Sequence, residues 1–397
     1  MHILYVANTC SREKYQEYQE SKKDCASQQA QKYNLLLAEG LSAAKANVHL
    51  ISTRPINRKT EKKLWIKGEK ECVNGVSFSY IPFLNYPVFR QIFLLLGVFF
   101  RILFSPCKKK ETVVVCDALN LTAAYAVCLA SFFRGYRTVA IITDVPGHLS
   151  YSKKLSRNQK MNLYLMRKFK GYLLLTEAMS EIVNPKNRPY VVMEGHADLS
   201  MADVENSLEG KAEKKVCLYA GSLMKIYGIG NLVEGFVKAD VPNTELHIYG
   251  TGDYLAEIQS LSTTHENVKY MGVAPNSEIV KAEIRATLLV NPRPSGEDYT
   301  KYSFPSKNME YMASGTPVLT TKLPGMPKDH LEHVYLLENE DADGIAVALR
   351  DLLTRPAEEL FEKGKQAKEF ILQEKNNVKQ AEKFLHFSSD LLGVDKK

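Results

Sequence analysis

The 397-residue sequence lacks several features that would assign it to a common protein class. Its seven cysteines are scattered, no two have CxxC spacing and no histidine follows one at metal-ligand distance, which argues against structural zinc or a disulfide framework. Its most apolar segment, Ile92 to Phe104, has thirteen residues, whereas a bilayer-spanning helix needs roughly 20. Internal repeats, low-complexity tracts and nucleic-acid motifs are also missing. We therefore expect a globular, cytoplasmic protein with reduced thiols and no nucleic-acid partner.

Length and composition favour two globular domains. The chain is longer than one compact core usually allows, and its 45% apolar and 24% charged residues are typical of globular proteins. The net charge of +7 conceals an asymmetry, because residues 1–200 contain 29 Lys and Arg against 15 Asp and Glu. A basic first half favours a large anionic partner such as a membrane surface, a phosphorylated lipid or nucleic acid, and a solvated basic face is the alternative.

The first half of the chain alternates strands and helices in the manner of a parallel α/β sheet. The N-terminal MHILYVANT lacks the basic region of a signal peptide, so we interpret it as the first strand. We predict strands at 2–7, 46–53, 76–82, 112–116, 138–143, 172–176 and 189–193, with helices at 28–45 and 121–133. The polar residues 8–26 are predicted to form a long loop over the ligand-binding edge of the sheet.

A second series of strands and helices follows a charged stretch, residues 199–214, which we interpret as an interdomain linker. The predicted strands are 216–220, 245–249, 267–271, 287–290 and 318–321, and the predicted helices are 229–239, 253–261, 276–285, 341–353, 357–373 and 376–392. This half therefore also has the pattern of a parallel α/β sheet.

The apolar segment RQIFLLLGVFFRILF, which starts at Arg90, is followed by three consecutive lysines at 108–110. Because it is too short to cross a bilayer, we predict that residues 90–110 form an interfacial helix on an anionic membrane surface. On a helical wheel its two arginines share one narrow face. A helix buried between the sheet and its neighbours is the alternative.

A polar stretch at residues 291–318, NPRPSGEDYTKYSFPSKNMEYMASGTPV, leads into a short helix whose start can bind an anion. Pro305 suits the first helical position, Ser303 or Ser306 can cap the helix, and Gly315 ends it. A helix N-terminus with unpaired N–H groups binds phosphate well. An ordinary helix after a surface loop is the alternative.

Three charged side chains surround this helix start. Lys301 and Lys307 can bind phosphate, and Glu310, one turn into the helix, can accept hydrogen bonds from sugar hydroxyls. This combination suits a nucleotide diphosphate-sugar. A solvated surface glutamate is the alternative for Glu310.

Glycines follow the strands of the second half at Gly221, Gly250, Gly252 and Gly272. Glycine at such a turn lets the backbone approach a ligand closely. The segment IYGTGDYL is only half of a dinucleotide fingerprint, because Leu255 occupies the third glycine position. Several glycine turns together favour a nucleotide site over an NAD site.

Four segments, in this order along residues 216–318, resemble the C-terminal domain of retaining GT-B glycosyltransferases, in particular glycosyltransferase family 4 of the polysaccharide-assembly type. They are LYAGSLMKIYGIGNLVEGF, LHIYGTGDY, VKYMGVAPNSEI and SFPSKNMEYMASGTPVL. The resemblance implies an α/β fold of two Rossmann-like domains facing a cleft. These would be an N-terminal acceptor-binding domain (1–200), a C-terminal nucleotide-sugar-binding domain (211–375) and a last helix (376–397) that packs back on the first domain.

The resemblance also implies roles for donor-binding residues. Glu310 would bind the ribose, and Ser306 and Lys307 would hold the diphosphate. Val273 would contact the base through its backbone, and Gly221 would let the diphosphate approach the first strand.

The sequence departs from the family pattern at three positions. Tyr302 stands where the family has the first glutamate of a pair, and Ser222 and Tyr227 stand where it has an arginine and a lysine. Lys225 can substitute for the lysine from a shifted position, and the acidic residues 297–298 can replace the missing carboxylate.

Sugar transfer requires neutralisation of the charge that develops on the leaving diphosphate. The family does this without a bound metal, so we predict no metal and no cofactor, with Lys225 contributing to this neutralisation. No protein nucleophile is assigned. In the first domain Asp144, at a predicted strand end, is the first candidate base for the acceptor hydroxyl, and His148 is the second.

We therefore predict transfer of a hexose or hexosamine from a nucleotide diphosphate-sugar to a lipid-linked or glycan acceptor. The step would retain anomeric configuration, build bacterial surface polysaccharide and occur at the cytosolic membrane face. One alternative is a sugar-nucleotide epimerase of the same fold. Another is a degenerate, non-catalytic partner subunit of a glycosyltransferase.

Overall fold

The chain forms two compact units. The computed structural model describes residues 1–21, 28–58, 61–147 and 155–393. Unit 1 is Met1–His196 with Asn377–Lys397, and unit 2 is Ala197–Asn376. Each unit is built on its own parallel sheet covered by helices, so the predicted α/β fold of two Rossmann-like domains is confirmed.

Unit 1 contains an eight-stranded sheet and a two-stranded ribbon. Its strands are β1 (His2–Val6), β2 (Asn47–Ser52), β3 (Trp65–Ile66), β4 (Glu69–Val73), β5 (Val76–Tyr80), β6 (Phe83–Leu84), β7 (Thr112–Asp117), β8 (Arg137–Ile142), β9 (Gly171–Leu174) and β10 (Tyr190–Val192). The large sheet has the order β10-β9-β8-β7-β1-β2-β5-β4, and β4 runs antiparallel to β5 at one edge. Central strands such as β7 are buried along their whole length, as expected where helices cover both faces of a parallel sheet.

In the described part of unit 1, six helices precede its boundary with unit 2. They are α1 (Arg12–Ser21), α2 (Gln28–Ala43), α3 (Pro87–Leu103), α4 (Leu121–Arg134), α5 (Arg157–Met166) and α6 (Met179–Val183). The prediction of an extended loop at 8–26 was wrong over α1, because its sequence REKYQEYQES consists mostly of strong helix formers.

Unit 2 contains a six-stranded, wholly parallel sheet of order β13-β12-β11-β14-β15-β16. Its strands are β11 (Lys215–Ala220), β12 (Thr244–Tyr249), β13 (Val268–Gly272), β14 (Leu288–Asn291), β15 (Val318–Thr320) and β16 (Tyr335–Leu336). Its helices are α7 (Ile229–Ala239), α8 (Leu255–Thr264), α9 (Asn276–Arg285), α10 (Ser306–Ser314), α11 (Lys328–Leu331), α12 (Ala342–Thr354) and α13 (Ala357–Glu374). Helices α7 and α12 pack on one face of this sheet, and helices α10 and α13 pack on the other face.

The last helix, α14 (Asn377–Leu392), belongs to unit 1. It packs against α2 and β10. Gly40 permits this approach, because a Cβ there would lie 2.1 Å from the Asn377 carbonyl oxygen. The Asn377 amide in turn donates to the Leu36 carbonyl at 3.3 Å.

The predicted interdomain linker at 199–214 is wrong, since these residues pack on unit 2. The amide of Asn206 donates to the Ser314 carbonyl at 2.8 Å, and the Lys211 ammonium donates to the Ile284 carbonyl at 2.7 Å. The charged composition of the segment concealed these bonds to partly buried carbonyl groups.

Helix α3, the apolar segment of unit 1, turns its arginines toward the protein. Arg90 donates to the Ile56 carbonyl at 2.7 Å and its guanidinium lies 4.9 Å from the centre of the Phe83 ring. Arg101 donates to the Ser79 hydroxyl at 3.0 Å. Large apolar side chains on the rest of the helix and at its C-cap, such as Phe100 and Phe104, are exposed, so the alternative of a helix buried between the sheet and its neighbours is wrong. None of the described helices is long and apolar enough to cross a membrane.

Candidate functional site

Helix α10 is held at the carboxyl ends of three neighbouring strands. The Tyr311 hydroxyl accepts the Ala220 backbone N–H at 2.8 Å, at the end of β11. Asn308 accepts from the Asn291 amide at 2.7 Å, at the end of β14, and donates to the Thr320 hydroxyl on β15. These side chains are buried, so the bonds fix the start of the helix at the edge where parallel α/β sheets bind ligands.

The helix start differs in detail from the prediction. Pro305 occupies the N-cap position, Ser306 is the first helical residue, and no side chain caps the helix. The prediction of Pro305 at the first helical position with a serine cap was therefore wrong. Since a helix begins with N–H groups that have no partner inside the helix, an uncapped start offers donors to an anion.

Lys307 and Glu310 face each other within the first turn of α10. The Lys307 ammonium lies 3.3 Å from a Glu310 carboxylate oxygen, and both side chains are about three-quarters buried. The alternative of a solvated surface glutamate is thus excluded. The pair presents one cation and one hydrogen-bond acceptor beside the uncapped helix start.

The glycine turns of unit 2 are packed against one another. A Cβ on Gly250 would lie 1.8 Å from the Gly221 carbonyl oxygen, and a Cβ on Gly252 would lie 2.2 Å from the Leu223 carbonyl oxygen. These glycines therefore serve close backbone packing at the ends of β11 and β12. Gly272 differs, because its φ is +82° and nothing would touch a Cβ there. Val273, which follows it, is 69% exposed.

The loop between β14 and α10 contains a 3₁₀ helix, Asp298–Tyr302. Tyr302, which stands where a glutamate was expected, is buried, and the ammonium of Lys301 lies 5.2 Å from its ring centre. Glu297 and Asp298, the predicted replacements for the missing carboxylate, are exposed at the start of this turn.

Lys225 lies in the short turn after β11. Its backbone N–H donates to an Asp253 carboxylate oxygen at 2.9 Å, which ties the turn to the loop after β12. Its side chain is exposed, as is that of Ser222. The lysine ammonium is thus free to extend toward a ligand at this edge.

Sequence reasoning missed Arg293, which follows β14 within the NPRP segment. Its guanidinium lies 4.3 Å from the centre of the Tyr227 ring and donates to the Ser303 hydroxyl at 3.1 Å. The one available signal was a basic residue just beyond a predicted strand. Its proximity to Tyr227, a distant residue in sequence, could not be read from the chain.

A second site lies in unit 1, at the carboxyl ends of β7 and β8. A cavity of about 480 Å³ is lined by Leu119, Leu121, Asp144, Val145, Pro146, Gly147, Asn158, Gln159 and Asn162. The Asn162 amide donates to the Leu119 carbonyl at 2.9 Å, while its buried Oδ1 has no partner. An unpartnered acceptor at the edge of a cavity suits a ligand that carries hydroxyl groups.

Asp144 is the titratable group of this cavity. Burial raises its pKa to about 6, although a 2.7 Å hydrogen bond from the Val145 N–H favours the charged form. A carboxylate with this pKa is largely ionised at neutral pH and can still accept a proton. His148, the second candidate base, lies outside the described residues.

Residues 214–355 match the family model for Glycosyl transferases group 1. This part of the chain is therefore similar to a glycosyltransferase domain. No curated protein matches the chain significantly in sequence.

Solved structures of similar fold cover nearly the whole chain. Sucrose-phosphate synthase from Thermosynechococcus elongatus has a TM-score of 0.72 at 15% identity and covers 100% of both chains. Anabaena HepE in complex with UDP has a TM-score of 0.66 at 14% identity, over 98% of this chain and 100% of its own. The lipopolysaccharide outer core galactosyltransferase WaaB has a TM-score of 0.61 at 13% identity, over 98% and 99%. The predicted GT-B fold is thus confirmed.

The raised pKa of Asp144 predicts a pH-dependent effect of Asp144→Asn on stability. Between about pH 4 and 6 the folded chain binds more protons at this site than the unfolded chain, so the wild-type carboxylate lowers stability as pH rises through that window. The neutral amide avoids this cost and still accepts the Val145 N–H. We expect the free energy of unfolding in urea to increase by about 1–2 kcal/mol at pH 7.5 and to stay unchanged at pH 3.5.

The matched control is Asp203→Asn, at an exposed aspartate of unit 2. It should change stability little at either pH. An Asp144→Asn protein that is no more stable than wild type at pH 7.5 would contradict the assignment of a buried, costly carboxylate.

Proposed function

We propose that this protein is a retaining glycosyltransferase of family 4 that transfers a hexose or hexosamine from a nucleotide diphosphate-sugar. The observation that carries the proposal is the uncapped start of α10, with Lys307 and Glu310 beside it, at the strand ends of a domain that matches Glycosyl transferases group 1. The acceptor is a lipid-linked or glycan substrate of bacterial surface polysaccharide synthesis, as the resemblance of the PSK-containing segment implies.

The donor would bind along the ligand-binding edge of the unit 2 sheet. The diphosphate lies at the N–H groups of Ser306 and Lys307, where helix dipole and ammonium both favour negative charge. Glu310 accepts hydrogen bonds from the ribose hydroxyls, and the backbone beyond Gly272 contacts the base at Val273. Solved structures of HepE are complexes with UDP and with UDP-glucose, which supports a nucleotide-sugar donor for this chain.

The leaving diphosphate gains negative charge as its bond to the sugar breaks. We propose that Lys225, Lys301 and Lys307 stabilise this charge without a metal or another cofactor. Their ammonium groups, together with the start of α10, supply positive charge on the side of unit 2 that binds the diphosphate. The side chain of Lys225 is exposed and can move to follow the departing group.

The acceptor would bind in the cavity of unit 1. The unpartnered Asn162 Oδ1 accepts a hydrogen bond from an acceptor hydroxyl, and Asp144 takes the proton from the hydroxyl that attacks. We retain His148 as the second candidate for this base.

The membrane partner is supported by an exposed apolar surface on two packed helices of unit 1. We define the α3–α4 surface by its large exposed side chains, which are Val88, Phe89, Ile92, Leu96, Phe100, Phe104, Tyr125, Leu129, Phe132 and Phe133. Phe104 and Phe132 are 75% and 80% exposed. A continuous apolar surface of this kind marks a binding site for a membrane or another protein.

Charge favours the membrane as the occupant of this surface. The exposed lysines 108–110 follow α3 directly, and half of the chain around them is strongly basic. Each lysine near an anionic bilayer contributes about 1 kcal/mol, and aromatic side chains insert at the interface. We therefore propose peripheral association with the cytosolic face of the cell membrane, through a surface that extends the predicted 90–110 segment onto α4.

The candidate functions differ in whether they need an acceptor and in whether they need to bind a nucleotide. An epimerase would convert a nucleotide-sugar without an acceptor, whereas a transferase releases nucleoside diphosphate only when an acceptor is present. A degenerate partner subunit, suggested by Ser222, Tyr227 and Tyr302, would not need to bind nucleotide at all.

Glu310→Gln tests the donor site through the ribose. Isothermal titration calorimetry with UDP and GDP should show which of these two nucleotides binds the wild-type protein. We expect wild type to bind the 2′,3′-dideoxy form of that nucleotide at least about tenfold more weakly, because Glu310 loses charge-assisted hydrogen bonds. Glu310→Gln should remove most of this discrimination, whereas Glu338→Gln, at an exposed glutamate of the same unit, should preserve it.

Comparing the two ligands in each variant cancels the effect of removing a negative charge near the diphosphate. Absence of binding to either nucleotide would favour the degenerate subunit. Full discrimination by Glu310→Gln would exclude Glu310 as the ribose ligand.

Phe104→Asp combined with Phe132→Asp tests the α3–α4 surface in a vesicle sedimentation assay. Wild type should bind phosphatidylglycerol vesicles more strongly than phosphatidylcholine vesicles. We expect the double variant to bind at least about tenfold more weakly, because two aromatic side chains no longer insert. Val347→Asp, which changes a 63% exposed valine of unit 2, should bind like wild type.

Equal vesicle binding by wild type and the double variant would refute this surface as the membrane contact. If wild type ignores vesicles but its apparent mass in gel filtration falls in the double variant, a second copy of the chain covers the surface instead.

A further inference from the structure

Arg293 stands where two neighbouring strand ends and the start of a helix come together. It follows β14, whose neighbour β11 ends in the Gly221–Ser222 turn. Its side chain donates to Ser303, three residues before the first residue of α10, at 3.1 Å. The guanidinium is thereby directed to the same edge of the sheet as the uncapped helix start.

Two tyrosine rings lie beside this guanidinium. The centre of the Tyr227 ring lies 4.3 Å from Arg293 Cζ, and that of Tyr299 lies 6.0 Å away. Both separations are within the range of cation–π attraction. Tyr299 is buried, so the guanidinium rests on a rigid support and loses little freedom when it binds a ligand.

The charge of Arg293 reaches the first glycine turn. Burial raises the pKa of the Tyr219 phenol, and the positive charge of Arg293 opposes this rise. The Tyr219 hydroxyl donates to the Ser222 carbonyl at 2.8 Å. Arg293 is therefore electrostatically coupled to the turn at which the family supplies a basic side chain and this chain has serine.

The contacts inside the protein do not satisfy the guanidinium. It makes one side-chain hydrogen bond, to Ser303, while its buried Nε–H has no acceptor. Among the residues that the structure describes, no carboxylate pairs with it. A partly buried guanidinium without a counter-charge is costly unless an anion completes its fork of donors.

We propose that Arg293 binds the diphosphate of the nucleotide-sugar and replaces the basic residues that are missing at Ser222 and Tyr227. This assignment rests on the proposed function and adds a residue from a different strand to it. Tyr227 then has a role of its own, because its ring positions the guanidinium that substitutes for the lysine expected there. Tyr227 is a positioning residue, and Arg293 touches the substrate.

The reaction gives this cation a defined task. The bond between the anomeric carbon and the diphosphate oxygen breaks, and its electron pair stays on that oxygen. The acceptor oxygen bonds to the anomeric carbon, and its proton passes to a general base. Arg293 neutralises the negative charge on the departing diphosphate in two N–H bonds of fixed geometry, which an ammonium cannot reproduce.

Arg293→Gln tests the assignment by calorimetry with a nucleoside diphosphate and the matching monophosphate, whichever of the UDP and GDP series binds wild type. Loss of charge-assisted bonds to the second phosphate should weaken the diphosphate about ten- to a hundredfold and the monophosphate less than about threefold. Arg293→Lys should recover only part of the loss. Tyr227→Leu should give a smaller loss in the same direction.

Arg285→Gln is the matched control. This exposed arginine precedes β14 and so lies at the opposite end of the same strand, where it carries the same charge in the same unit. Its removal should leave both affinities unchanged. Thermal melting of each variant without nucleotide separates an effect on folding from an effect on binding.

Two outcomes distinguish failure of this assignment from failure of the proposed function. If wild type binds the diphosphate and Arg293→Gln binds it equally well, Arg293 is a structural residue and the assignment is overturned alone. If wild type binds neither nucleotide, the proposed function falls and this assignment falls with it. Should Arg293→Gln not fold, equal diphosphate affinity of Arg293→Lys, Tyr227→Leu and wild type would overturn it.

Discussion

The hydrogen bond between the Tyr311 hydroxyl and the Ala220 N–H joins the middle of α10 to the end of β11 in a fully buried setting. Together with the Asn308 bonds to β14 and β15, it sets where the helix starts relative to three strands. The uncapped N–H groups and the Lys307–Glu310 pair depend on that placement. Loss of this anchor would leave unsatisfied buried groups and also displace the donors at the start of α10 that could hold a diphosphate.

The sequence was most informative where periodicity and glycine or proline boundaries agree. Helices α7 and α9 were predicted with the bounds they have, because apolar residues recur at helical spacing between clear end signals. Helix α1 was missed since its polar composition resembled a loop. The short strands β3 and β6 were also missed, because two residues carry too little pattern. The contact between Arg293 and Tyr227 arises only after the sheet brings distant residues together.

The glycines that follow the strands of unit 2 do not all have the same structural role. Gly250 and Gly252 have no room for a Cβ because neighbouring backbone occupies that space. Backbone packing alone therefore explains why glycine is needed at these two positions, whereas open space surrounds Gly272. Helix α3 of unit 1 also has two kinds of side chain. Its arginines form hydrogen bonds with the protein, whereas several of its aromatic side chains are exposed.

Binding of a nucleotide diphosphate-sugar to unit 2 can be tested directly with a thermal-shift screen of such sugars against the full chain. One donor should raise the melting temperature in a saturable manner, since a ligand at a hundred times its dissociation constant stabilises the folded state by about 2.7 kcal/mol. Related sugars on the same nucleotide should stabilise less. A folded protein whose melting temperature does not respond to any nucleotide-sugar at millimolar concentration would contradict the presence of a donor site in unit 2.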